Sequence, residues 1–173
     1  RAQILYYMAE NLSARAREFE SRIKTLTGSS QARREVESSI ARLFSYGAWA
    51  DKYEGRVHAP PMRGVALAMN AALGVAGVVC PDEAPLLGFI SLVAPLIAMG
   101  NRVGVVPSER APLAATDFYQ VIETSDVPGG VINVLTGDPA EIMPWLASHA
   151  DVNALDLTGI DDADVATSLE RDA

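Results

Sequence analysis

Two carboxylates follow a short apolar strand at the point where a cofactor-binding loop would be expected. Residues 78–109 have the pattern strand, tight turn, apolar helix and strand, which is the layout of a nucleotide-binding unit. The turn contains Asp82 and Glu83, whereas a phosphate-binding loop would carry glycines. Carboxylates repel phosphate, so the turn has the position of a cofactor site without its usual chemistry.

The segments that position this turn alternate between strands and helices over residues 74–173. Four apolar strands are predicted to end near Val79, Val106, Leu135 and Leu157, with a helix after each of the first three. This alternation predicts right-handed crossovers and a parallel sheet, and the apolar strands predict burial on both faces. We therefore expect a doubly wound α/β domain of the Rossmann-like kind, with ligands at the carboxyl ends of its strands.

The preceding residues predict two further segments. Residues 1–55 carry apolar side chains at three- and four-residue spacing, which predicts a helical hairpin with ends near Gly28 and Gly55 that packs on the α/β domain. Residues 56–73 are a connecting segment, because Ala59-Pro60-Pro61 breaks any helix. Within it, Val65–Ala72 is a candidate edge strand.

The composition argues against several classes of function. A net charge of -8 does not suit a nucleic-acid surface, which needs clustered lysine and arginine. The longest apolar run, Pro85–Met99, is too short to span a membrane, so we expect no membrane partner. The single cysteine, Cys80, cannot form an internal disulfide and is interpreted as a buried residue of a cytoplasmic protein. The two histidines lack metal-ligand spacing, so no metal site is predicted.

The order and spacing of these segments resemble the aldehyde dehydrogenase superfamily. The resemblance covers nearly the whole chain and is carried by residues 14–30, 43–56, 73–115, 126–141 and 146–159. It implies an NAD- or NADP-binding domain, a separate catalytic domain with a nucleophilic cysteine, and a homo-oligomer. The chain resembles about the first half of a family protein, which implies that the α/β domain is incomplete at its carboxyl end. The cysteine and the glutamate general base are therefore expected beyond Ala173.

The resemblance also implies that the oxyanion site is degenerate. After the first strand the family has Pro-Trp-Asn-Phe-Pro, and its asparagine donates a hydrogen bond to the oxyanion. This chain has Pro81-Asp82-Glu83-Ala84-Pro85, so Glu83 stands at the asparagine position. An ionised carboxylate only accepts hydrogen bonds and would repel the developing negative charge. No catalytic residue is assigned, and Pro81 is retained as a cofactor-binding candidate.

The cofactor positions are retained only in part. After the second strand the family has Lys-Pro-Ser-Glu, whose lysine reaches the adenosine ribose. This chain has Val106-Pro107-Ser108-Glu109, so Val106 stands at the lysine position. Glu109 is retained, and it either holds the ribose or favours the start of the following helix. After the fourth strand the family has a serine that contacts the pyrophosphate, and this chain has Ile160 at that position. The remaining candidates for cofactor binding are Ser108, Glu109, Gly137 and Gly159.

The sequence also departs from the family at positions that, by the resemblance, would lie near the nucleotide. Met143 falls where the family often has a small residue near the adenine ring, and its side chain would fill part of that space. Asp161, Asp162 and Asp164 follow the fourth strand, where a helix amino terminus would face a diphosphate. These acids suit the helix dipole but compete with an anionic ligand.

Two functions are consistent with this pattern. The first is a non-catalytic domain with degenerate cofactor and oxyanion sites, which has a structural or assembly role in a larger aldehyde dehydrogenase. It resembles the degenerate second repeat of family 16 aldehyde dehydrogenases. The alternative is part of an active NAD(P)-dependent enzyme that oxidises aldehydes to carboxylic acids through a cysteine thiohemiacetal, with the cysteine outside residues 1–173. The expected partners are the catalytic domain of the same polypeptide and further copies of the protein.

Overall fold

The amino-terminal part of the chain is helical. The computed structural model describes residues 1–173, and it begins with helices α1 (Ala2–Ala14), α2 (Ala16–Thr27) and α3 (Ala32–Lys52). The first arm of the expected hairpin is thus two helices, because Arg15 departs from helical geometry with φ -105° and ψ 13°. Helix α2 ends at Gly28, whose φ of 69° is a left-handed conformation that suits glycine.

The connecting segment forms a small antiparallel sheet of its own. Strand β1 (Arg56–His58) pairs with strand β2 (Ala66–Ala68), and Val57 lies opposite Leu67. The expected edge strand is therefore shorter than predicted, and it pairs with β1 and not with the parallel sheet. All six strand residues are exposed. A two-stranded hairpin with no covered face is marginally stable in water.

The α/β domain contains four parallel strands in the order β5-β4-β3-β6. The strands are β3 (Val75–Val79), β4 (Arg102–Val106), β5 (Ile132–Val134) and β6 (Ala154–Asp156). The helices are α4 (Pro85–Ala98), α5 (Leu113–Glu123), α6 (Pro139–Ala147) and α7 (Ala163–Asp172). This arrangement confirms the predicted doubly wound fold. No helix of the chain has both the length and the apolar character that a membrane crossing requires.

Alternate residues of the central strands face two apolar cores of different size. Val78, Val103 and Val105 face the larger core, which α4 and α5 share with helices α1–α3. Edge-to-face aromatic contacts join three of these helices, since the Phe118 ring lies 6.2 Å from Phe19 and 6.0 Å from Phe89. Helices α6 and α7 cover the other face with a much smaller core. The larger core therefore anchors the central strands, whose carboxyl ends lead into the predicted site.

Candidate functional site

The turns that follow β3, β4 and β6 meet at the carboxyl edge of the sheet. They enclose a cavity of about 100 Å³. Pockets that hold drug-sized ligands are typically about 300–1,000 Å³. The cavity lining includes three of the five predicted cofactor residues, namely Pro81, Glu109 and Gly159. Ser108 lies beside the cavity, and Gly137 does not line it.

Asp82 links two of these turns through its carboxylate. Its Oδ1 accepts hydrogen bonds from Ser108 Oγ at 2.7 Å and from the backbone N–H of Arg110 at 3.2 Å. Its Oδ2 lies 3.2 Å from Nε of Arg110. Ser108 Oγ in turn accepts a hydrogen bond from the backbone N–H of Ala111 at 3.1 Å. The Ser108 hydroxyl is therefore buried, and it both donates and accepts a hydrogen bond within the protein.

The surroundings of Asp82 keep it ionised. Partial burial acts to raise the pKa of this carboxyl, but hydrogen bonds from Ser108 and Arg110 and the charge of the Arg110 guanidinium act in the opposite direction. The net effect holds the pKa of Asp82 below its ordinary value. The turn after β3 consequently presents a stable negative charge at neutral pH.

The charge of the cavity opposes anionic ligands. Its lining includes four carboxylates and a single guanidinium, which belong to Asp82, Glu83, Glu109, Asp161 and Arg110. The guanidinium of Arg110 already lies against Asp82. A diphosphate placed here would approach four carboxylates and a single guanidinium that already pairs with one of them, so the residues present do not fit that group.

Glu83 and Ala84 shape the start of helix α4. The Glu83 side chain is exposed, and Ala84 has a left-handed backbone with φ 48°. Such a conformation costs a non-glycine residue roughly 1–2 kcal/mol. The turn therefore depends on tertiary contacts to hold its shape, and one such contact comes from helix α3.

Glu35 of helix α3 supplies that contact, which the sequence did not predict. Helix α4 has no side-chain cap of its own. Glu35 Oε1 accepts hydrogen bonds from the backbone N–H groups of Leu86 at 2.8 Å and Leu87 at 3.3 Å, and its side chain is buried. Burial raises its pKa, and the two hydrogen bonds only partly oppose this effect. The one sequence feature that could have indicated this role is that an acid stands next to Val36, on the apolar stripe of α3.

Glu109 does not cap the following helix. Helix α5 begins at Leu113 after Pro112, and no side chain caps it. Glu109 is exposed and lines the cavity, so the capping interpretation finds no support in the structure. The other interpretation, a contact with a ribose, stays a prediction.

The two predicted glycines are required by backbone geometry. Gly137 has a φ of 154° in the exposed turn before α6. Gly159 donates a backbone hydrogen bond to the Val79 carbonyl at 3.0 Å, and a Cβ atom on Gly159 would overlap the Cys80 carbonyl group. Gly159 therefore lets the turn after β6 pack directly against the end of β3.

The region between α6 and α7 is closed by side chains. Met143 is fully buried and belongs to one apolar cluster with Val79, Val106 and Leu169. Helix α7 is capped by Asp162, whose Oδ1 accepts hydrogen bonds from the N–H groups of Asp164 at 2.9 Å and Val165 at 3.2 Å. Two backbone donors that could meet a diphosphate are thus already satisfied.

Neither metal chemistry nor a nucleophilic thiol is supported at this edge. Across residues 1–173, no three histidine, cysteine, aspartate or glutamate side chains are grouped to hold a metal ion. Burial, together with the charge of Asp156, raises the pKa of Cys80 to about 12. The thiolate that nucleophilic attack requires is therefore strongly disfavoured.

The sequence matches the aldehyde dehydrogenase family over residues 1–167. It is 35% identical to hydroxyisobutyraldehyde dehydrogenase from Mycolicibacterium austroafricanum over 162 residues, which cover 92% of this chain and 32% of the relative. It is 31% identical to 3-sulfolactaldehyde dehydrogenase from Priestia aryabhattai over 166 residues, which cover 92% of this chain and 35% of that protein.

Solved structures show the same fold. The NAD-dependent benzaldehyde dehydrogenase from Corynebacterium glutamicum superposes with a TM-score of 0.88 and 27% identity, covering 99% of this chain and 37% of the enzyme. The glyceraldehyde-3-phosphate dehydrogenase GapN from Methanocaldococcus jannaschii, complexed with NADP, gives a TM-score of 0.84 and 27% identity, covering 90% of this chain and 35% of that structure. The chain spans about a third of the length of these proteins, and not the half expected from the sequence.

Proposed function

The chain belongs to the aldehyde dehydrogenase family, and on that premise we propose that it is a non-catalytic domain with an assembly role in a larger aldehyde dehydrogenase. The observation that carries this proposal is the position of Asp82. Its carboxylate binds Ser108 and Arg110 at the edge where parallel α/β sheets bind their ligands. The only guanidinium in the cavity lining is thereby paired with a carboxylate of the same chain.

The proposed loss of catalysis also rests on Glu83. This side chain stands at the position of the family's oxyanion asparagine, and a carboxylate offers no hydrogen bond to an oxyanion. Removal of one oxyanion donor typically lowers kcat by about 100- to 1,000-fold. A negative charge in its place would lower it further.

The proposed assembly role rests on exposed apolar side chains in residues 46–73. On the β1–β2 hairpin, Val57 is 74% exposed and Leu67 is 62% exposed. A groove of about 620 Å³ adjoins the hairpin segment and is lined mainly by apolar residues, including Tyr46, Trp49, Tyr53, Leu73, Leu96 and Met99. Clustered exposed apolar side chains mark interaction sites in soluble proteins. We propose that further copies of the protein or the catalytic domain of the same polypeptide cover it, within the cytoplasm.

Sizing of charge variants tests the assembly role. Val57 and Leu67 face each other across the hairpin, so Val57→Asp with Leu67→Asp places two charges on one face. The matched control is His58→Asp with Ala66→Asp, a neighbouring pair that points to the opposite face. We expect the first variant to lower the oligomeric state in light scattering and the control to preserve it. An unchanged oligomer in the first variant would refute the assembly role.

One observation favours the alternative, an active NAD(P)-dependent aldehyde dehydrogenase. Glu109 is exposed at the cavity, where it is free to contact a ribose. Calorimetric titration with NAD⁺ and NADP⁺ separates the two proposals. The non-catalytic proposal predicts no binding by this domain at millimolar cofactor, whereas micromolar binding would favour the enzyme and call for an aldehyde oxidation assay.

A further inference from the structure

We propose that Asp82 acts as an internal anion that blocks a phosphate-binding position at the carboxyl edge of the sheet. The inference rests on the proposed function, because it supplies a physical cause for the loss of cofactor binding. Three donor groups converge on this one carboxylate, namely Ser108 Oγ, the backbone N–H of Arg110 and Nε of Arg110. Asp82 therefore contacts these donors in the way that a ligand oxyanion would.

The donors around Asp82 are those that proteins use to hold phosphate. A hydroxyl, a backbone N–H and a guanidinium all form charge-assisted hydrogen bonds with phosphate oxygens. The N–H of Ala111 lies beside them and donates to Ser108 Oγ. Ser108 is buried, so its hydroxyl is held in place. Without the Asp82 charge, the exposed Arg110 guanidinium in the cavity lining would have no carboxylate paired with it.

Position and hydrogen-bond contacts assign the blocking role to Asp82 and not to its neighbour. Asp82 reaches across from the turn after β3 to the turn after β4, and these are the two central strands. Glu83, the next residue, has an exposed side chain in the same cavity lining and makes no side-chain hydrogen bond. The two residues carry the same charge, so they differ in whether they occupy the donors.

This difference provides a matched pair of variants. Asp82→Asn keeps an oxygen that can accept from Ser108, removes the negative charge and releases the Arg110 guanidinium. Glu83→Gln removes an equal charge without changing the donors. Isothermal calorimetry with inorganic pyrophosphate measures anion binding independently of any adenine pocket, and a second titration with NADP⁺ tests a nucleotide phosphate.

We expect Asp82→Asn to bind pyrophosphate roughly tenfold more tightly than Glu83→Gln and the unmodified protein, a difference of about 1.4 kcal/mol. Adding Arg110→Gln to Asp82→Asn should remove the gain. If NADP⁺ binding also rises, the blocked position takes a nucleotide phosphate; if only pyrophosphate binding rises, it takes small phosphate anions. Circular dichroism checks the fold, and Asp82→Ser replaces Asp82→Asn if the latter unfolds.

Three results would be unfavourable, and they are distinguishable. Equal pyrophosphate affinity of Asp82→Asn and Glu83→Gln would overturn the inference, because only total charge would then matter. Micromolar cofactor binding by the unmodified protein would instead overturn the proposed function. Retention of the gain after Arg110→Gln would also overturn the inference, since the released guanidinium would have no part in it.

Discussion

Asp82 Oδ1 and Ser108 Oγ lie 2.7 Å apart and join the turns after the two central strands. The contact lies at the edge where parallel α/β sheets bind their ligands. Since Ser108 also accepts a hydrogen bond from Ala111, one hydroxyl connects the Asp82 turn to the segment that precedes helix α5. This small polar network therefore has consequences for stability as well as for binding.

The first prediction concerns the pH dependence that Asp82 contributes. Its pKa in the folded protein lies below the ordinary value of 3.8. As the pH falls towards this range, the unfolded chain therefore binds more protons at Asp82 than the folded protein does. The stability from this group is present above its ordinary pKa and is lost as pH falls through the lower folded value. Urea unfolding at pH 6 and near pH 3 should show that the free energy of unfolding falls less between these pH values for Asp82→Asn than for the unmodified protein. An identical loss in both would contradict the prediction.

The second prediction concerns Glu35. Replacement by alanine leaves the buried N–H of Leu86 without its side-chain acceptor, at about 1–3 kcal/mol, and also removes the acceptor of the partly buried Leu87 N–H. Glu35→Gln keeps an acceptor oxygen and should lower the free energy of unfolding by much less. Denaturant unfolding at neutral pH compares the two variants. Equal destabilisation would show that packing, and not the cap, is the function of Glu35.

Glu35 also gives a pH effect opposite in sign to that of Asp82. Because its folded pKa lies above the ordinary value of 4.5, its contribution is greatest below that pH and is lost as pH rises through the folded pKa. Glu35→Gln should remove this component. Unfolding curves between pH 4 and pH 7 would contradict the prediction if the variant and the unmodified protein changed in parallel.

The third prediction concerns the reactivity of Cys80. This residue is buried, and its pKa is raised to about 12, so very little thiolate exists at pH 8. A thiol reagent such as iodoacetamide should label the folded protein far more slowly than the protein in urea. Since the chain has one cysteine, mass spectrometry reports this site alone. Equal labelling rates in the two states would refute the prediction.

The fourth prediction compares two glycines. Gly159→Ala would drive a methyl group into the Cys80 carbonyl, and the backbone shift should lower the free energy of unfolding by about 1–3 kcal/mol. Gly129→Ala is the control, because a Cβ atom there meets no atom within 4 Å and its φ is not positive. The control should be neutral or stabilised by up to about 1 kcal/mol. Thermal unfolding of both variants measures the difference.

Local patterns in the sequence were sufficient to predict the α/β domain. Apolar strands alternate with helices from Val75 onward, and this alternation permits few topologies. The predicted ends of β3 and β4 coincide with the observed ends at Val79 and Val106. The edge that holds the candidate site could be predicted for the same reason, because the carboxyl ends of parallel strands lie together whatever side chains they carry.

The tertiary structure alone decided which partners the polar groups have. Asp82 meets Ser108 and Arg110, and Glu35 meets Leu86, across long separations in sequence. Such contacts depend on how whole helices and turns pack, and neither propensity nor spacing encodes that packing locally. The sequence by itself therefore determined a parallel sheet with acidic turns at its carboxyl edge. Only the folded chain showed that one of those acids is bound by the donors a phosphate would need.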